Sequence, residues 1–173
     1  ENYRGLKDYD KARTNYEKVL EIDPNEARPY YGMGRLLIEE GEYKKAVEKF
    51  NEGIKIDSEY HNLYFGLGLA YTKMGEDKKA IDSYLEKIKL EPYAPAALFN
   101  IGAIYFNADN DSKEAIEYYI KAAQQKSKSA IAELKEMGID LPETKIPEKV
   151  EDKTDDEGID NVESSSEVFE KSD

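Results

Sequence analysis

Gly34, Gly68 and Gly102 stand 34 residues apart, and that interval constrains the fold more than any other feature of the chain. Tyr31, Phe65 and Phe99 keep the same step, as do Ala12, Ala46 and Ala80, then Tyr16, Phe50 and Tyr84, then Pro24, Ser58 and Pro92. A glycine inside a helix costs about 1 kcal/mol relative to alanine. Three of them in register therefore mark a recurring close approach of two backbones. A fixed period of this length belongs to stacked repeats, in which each unit covers the apolar face of its neighbour.

Aligned at the glycines, each segment reads as two helices. Apolar residues at helical spacing (Tyr30, Met33, Leu37) predict a helix over 30–40. Gly41 supplies a break that tolerates positive φ, and Tyr43, Ala46, Val47, Phe50 and Ile54 predict a second helix over 43–56. The next unit repeats the plan with Tyr64, Leu67, Gly68 and Tyr71, then Gly75, then Ala80, Tyr84 and Ile88. The third uses Leu98, Ile101, Gly102 and Tyr105, then Ala115, Tyr119 and Ala122. Ala115 follows Ala80 by 35 residues, so one residue is inserted within 107–112. Asp111 or Ser112 is the expected N-cap of the following helix. The Asp-rich stretch lacks the glycine and terminal glutamate of a calcium loop and reads as a capped turn.

Tyr9, Ala12, Tyr16, Val19 and Leu20 read as the second helix of a unit whose first helix is almost missing, as expected of an excised fragment. Ala130, Ile131, Leu134 and Met137 predict a short lid helix that stops at Gly138. The expected organisation is a truncated unit over 1–26, complete units over 27–60, 61–94 and 95–127, a capping helix over 128–140, and an acidic, disordered tail over 141–173.

Composition removes several classes of function. The chain of 173 residues has no cysteine, which excludes disulfides, thiolate metal sites and cysteine nucleophiles. His61 is the single histidine; it falls at a helix start, where surface placement is expected, and alone it makes neither a nucleophile–base pair nor a transition-metal site. Gly66 and Gly68 lie inside a helix rather than in a phosphate loop. No apolar run approaches the roughly 20 residues that span a bilayer. Net charge is −13, and residues 143–173 hold 12 acidic and 4 basic residues. The basic footprint of a nucleic-acid binder is absent. The expectation is a protein without catalytic residues, cofactor or metal, whose partner is another protein or peptide.

Gly34, Tyr43, Ala46 and Phe50; Gly68, Tyr71, Ala80, Tyr84 and Pro92; Gly102, Tyr105 and Tyr119; and Tyr9, Ala12, Tyr16 and Pro24 form a pattern that resembles the tetratricopeptide repeat. The resemblance implies an all-α, right-handed superhelical solenoid of helix-turn-helix units, acting as a non-catalytic adaptor that binds a peptide or helix on its concave side. That side is lined by the first helix of each unit. Here the lining would comprise Arg28, Tyr31, Arg35 and Ile38; Asn62, Phe65, Leu69 and Thr72; and Ala96, Phe99, Ala103 and Phe106. The contact residues expected for a partner are Arg28, Tyr31, Arg35, Asn62, Phe65, Leu69, Phe99 and Asn100.

The aromatic row has two readings, a ladder for a partner or packing between units. Arg28 and Arg35 either offer charge-assisted bonds to a carboxylate or phosphate, or are solvated or locally paired. The family's clamp for chaperone C-termini would need lysines, asparagines and an arginine where Tyr31, Arg35, Gly66, Ala96 and Asn100 stand, so that mechanism is not expected. Two alternatives stay open: a regulatory or targeting segment of an enzyme whose catalytic domain lies upstream, and an assembly role in which the unfinished first unit stacks on another chain. The tail is either a solubilising linker or a regulated element. Ser164 and Thr154 have Glu167 and Glu157 three residues on, Val168–Phe169 is its adjacent bulky apolar pair, and its carboxylates have Arg28, Arg35 and Lys73 as targets.

Overall fold

Paired helices dictated by the repeat columns build the whole described structure. The computed structural model describes residues 3–110 and 112–141. It holds eight helices among those residues: α1 (Tyr3–Ile22), α2 (Arg28–Glu39), α3 (Tyr43–Ile56), α4 (His61–Lys73), α5 (Asp77–Leu90), α6 (Pro95–Ala108), α7 (Lys113–Gln124) and α8 (Lys128–Glu136). The α1 helix reaches back to Tyr3, further than the columns require. The expected disorder of the tail concerns residues outside the described ones, apart from Leu141.

Short turns fold each helix back on its predecessor. Gly41 and Gly75 sit at φ +77° and +70° between the helices of their units, a region where side chains with a Cβ are strained. In the third unit the longer turn ends on Ser112, whose side-chain oxygen accepts from the Ala115 N–H at 3.3 Å. Ser127 caps α8 in the same way through Ala130.

Packing explains the glycine columns. A Cβ added at Gly34 would run into the ring of Phe50, one at Gly68 into Tyr84, and one at Gly102 into Tyr119. All three glycines therefore occupy the same contact, a first helix pressed onto the aromatic of the second. Phe50, Tyr84 and Tyr119 are almost wholly buried, each contributing about 1.5–3 kcal/mol of transfer free energy.

Helices pack in chain order, and α2 also touches α4, so the first helices of the first two complete units lie side by side. The cores lie at the seams. Ala46 and Phe50 of one unit bury against Leu63, Leu67 and Ala70 of the next. Ala80 and Tyr84 do the same with Ala97, Ile101 and Ile104. Leu98 and Tyr119 are covered by Ala130 and Leu134 of α8. No unit closes its core alone, which is why the pattern has to recur.

Candidate functional site: the lining of the first helices

Each lining aromatic leans on the ring that locks its own unit. Tyr31 lies 6.2 Å from Phe50, Phe65 5.7 Å from Tyr84 and Phe99 5.4 Å from Tyr119, all tilted. All three remain half-buried, so packing leaves part of each ring accessible. Leu69 is half-buried on α4, one turn beyond Phe65.

The charged residues divide. Arg28 is an exposed side chain bonded back to Glu26, with Nε to Oε1 at 2.9 Å and Nη2 to Oε2 at 2.6 Å. Those hydrogen bonds hold the Glu26 carboxyl down at about 2. Arg35 donates from Nη1 to the Tyr31 hydroxyl at 3.4 Å, and its guanidinium sits 5.9 Å from that ring's centroid. Among the described residues Arg35 has no carboxylate partner.

Two residues that the sequence does not single out complete the site. Tyr60 stands edge-on to Tyr31 at 6.0 Å. Burial raises its hydroxyl's pKa, and the Asn62 side chain hydrogen-bonds to it. Asn62 Oδ1 in turn accepts from Lys87 Nζ at 3.0 Å. Lys87 is 1% exposed; its ammonium also meets His61 Nδ1 at 2.7 Å and the carboxylate of Glu91. A buried lysine needs such partners to offset desolvation. The columns carry the signal: Lys87 stands where the neighbouring units have Gly53 and Ala122, and a long cation in a small-residue column requires acceptors nearby. His61 is thus an acceptor in a network rather than a loose surface side chain.

Arg28, Tyr31, Arg35 and Asn62 are accordingly brought together with Tyr60 at the seam between α2 and α4. Asn100 differs from its expected place. It is 7% exposed and donates from Nδ2 to the Tyr84 hydroxyl at 3.2 Å, which Thr72 Oγ1 also meets at 3.3 Å. Its role is to hold Tyr84 between two units. One residue on from Phe99, and so about 100° further round α6, the side chain is directed into the seam instead of along the wall.

Among the described residues no cluster of three His, Asp or Glu side chains has the spacing of a metal site, and no helix is long and apolar enough to cross a membrane.

Seams closed by glycine against aromatic, with spare side chains along the inner helices, define a helical-hairpin solenoid of the protein-interaction class. The chain belongs to the tetratricopeptide repeat family: a TPR repeat model matches residues 2–37 and 34–75, and a tetratricopeptide repeat model matches 61–93 and 95–129. Three solved structures show the likeness. A MamA protein crystal structure is 25% identical over 79% of this chain and 77% of that one, with TM-score 0.61. A MamA crystal structure is 26% identical over 74% and 94%, with TM-score 0.55. MamA 41-end from Desulfovibrio magneticus RS-1 is 26% identical over 71% and 69%, with TM-score 0.60. No curated protein matches. The protein is a non-catalytic protein-interaction scaffold.

Proposed function

We propose that the scaffold binds an extended segment or a helix of a partner protein along the lining of α2, α4 and α6. The observation that carries this reading is the row Tyr31, Phe65 and Phe99, half-open at one-unit intervals and bordered by Arg28, Arg35, Asn62 and Leu69. Rings at that step offer flat apolar contact to successive side chains of a partner. Arg35, held on the Tyr31 face, adds an oriented donor for a carboxylate.

The test is capture of partners by the wild-type chain and by Tyr31→Ala/Phe65→Ala/Phe99→Ala, with Leu85→Ala on α5 as a control away from the lining. Because the rings also pack, Arg35→Glu is assayed alongside, with helicity checked for every variant. Partners lost by both lining variants and kept by the control support the groove. Partners kept by folded lining variants sink it.

The exposed Val19 and Ile22 of α1, at 40% and 86%, favour a second reading, stacking of the first unit on another chain. It expects Ile22→Lys to reduce any concentration-dependent sedimentation. A wild-type chain that stays monomeric over the whole concentration range removes this reading.

A further inference from the structure

The lining carries cations that its own helices do not neutralise. Arg35 rests on Tyr31, and Lys73 is exposed one turn beyond Leu69 on α4; neither meets a carboxylate among the described residues. Glu39 is the acid on the same stretch of the wall. In a chain of net charge −13, an arginine held on the half-open ring of Tyr31, with an exposed lysine on the next inner helix, selects a segment that is acidic and carries an aromatic.

Such a segment is present in the same chain. Glu167–Val168–Phe169–Glu170 places an aromatic between two carboxylates, within residues 143–173, whose 12 acidic and 4 basic residues give a net −8. Reach is ample. Leu141 and Glu167 are 26 residues apart, a contour of roughly 85–90 Å when extended. The distance along the stack from α8 to α2 is roughly 30 Å at ordinary helix spacing.

We propose that Glu167–Glu170 docks in cis on the wall formed by Tyr31, Arg35, Phe65 and Lys73, with Phe169 against the rings and the two carboxylates on Arg35 and Lys73. The inference rests on reading the wall as a peptide groove, and it names the regulator of that groove. A tethered occupant acts at an effective concentration on the order of millimolar, so an outside partner has to outcompete it. Only segments binding more tightly than the tail, or arriving when the tail is weakened, gain access.

The chain has no cysteine, so Ser172→Cys gives one nitroxide site in the full-length protein. Paramagnetic loss of amide signal is then read along the backbone. The expected result is loss in α2 and α4, abolished by Phe169→Ala and by Glu167→Gln/Glu170→Gln, and reduced at 1 M salt, where the Debye length falls to about 3 Å. Loss confined to residues 128–141, or none, overturns the proposal. Loss transferred to an unlabelled, isotope-enriched copy in a mixture also overturns it, since the occupant is then a second chain. This readout is independent of partner capture. An absent tail signal with capture still dependent on the wall defeats only the tail, whereas capture indifferent to the wall variants defeats the groove reading itself.

Discussion

Adding one methyl group at Gly68 drives it into the ring of Tyr84, which is wholly buried and bonded to Asn100 and Thr72. The gain in helix propensity, about 1 kcal/mol, is outweighed by overpacking, about 1–3 kcal/mol and occasionally more. Gly68→Ala is therefore expected to lower the denaturation midpoint, as measured by helix signal against urea; an unchanged or raised midpoint contradicts the seam geometry. At the surface, Glu26 titrates near 2 because Arg28 holds it. A carboxyl whose folded pKa lies below its unfolded one contributes stability that is present above the unfolded value and lost as pH falls through the folded one. That contribution is small here because the pair is solvent-exposed, and it fades between about pH 4.5 and 2. In Arg28→Ala the Glu26 carboxyl carbon is expected to titrate at higher pH by NMR, but only part of the way back to the usual glutamate range. The backbone N–H at position 28 still donates to Oε1 in that variant. A partner carboxylate that takes Arg28 must displace this acid first, so Arg35 is the readier contact.

Elements are set by their ends as much as by their faces. The α7 helix follows the one turn that breaks the 34-residue step, and its start is fixed by Ser112, which accepts from Ala115 and donates to Glu114 at 3.1 Å. Ser112→Ala is expected to cost about 1 kcal/mol, seen as a lower melting temperature with unchanged helicity at 20 °C; no change would mean that the cap is redundant. Helix pairing, a shared close contact at the three glycines, a cap at Asp111 or Ser112 and a lid carrying Ala130 and Leu134 were legible in the sequence, because each depends on spacing along one helix; that the glycines meet an aromatic ring rather than a second backbone was not. Lys87, Tyr60 and Asn100 were not. Their roles depend on which partners a neighbouring helix brings within about 3 Å, and a column holds no record of rotation into a seam.

For the whole molecule, cores at the seams mean that stability is shared between neighbours rather than held in one centre. The α4 and α5 helices are covered from both sides, while α1 meets only α2 among the principal helix contacts and α8 only α7. Amide exchange is expected to be slowest in α4, α5 and α6 and to quicken towards both ends. Leu134→Ala, which empties a fully buried position in the lid, should accelerate exchange in α7 and α8 far more than in α2. Uniform protection, or equal acceleration everywhere, would mean a single cooperative block.

The buried Lys87, in the unit over 61–94, has one more consequence. His61, Asn62, Lys87 and Glu91 all fall between residues 61 and 94, within a single period of the chain. A tandem duplication of that stretch would thus copy the cation together with His61, Asn62 and Glu91. Exchanging only one of its two helices with another unit would strand either a charge or its acceptors, so inheritance of this period as an intact cassette is the least disruptive route to a longer array.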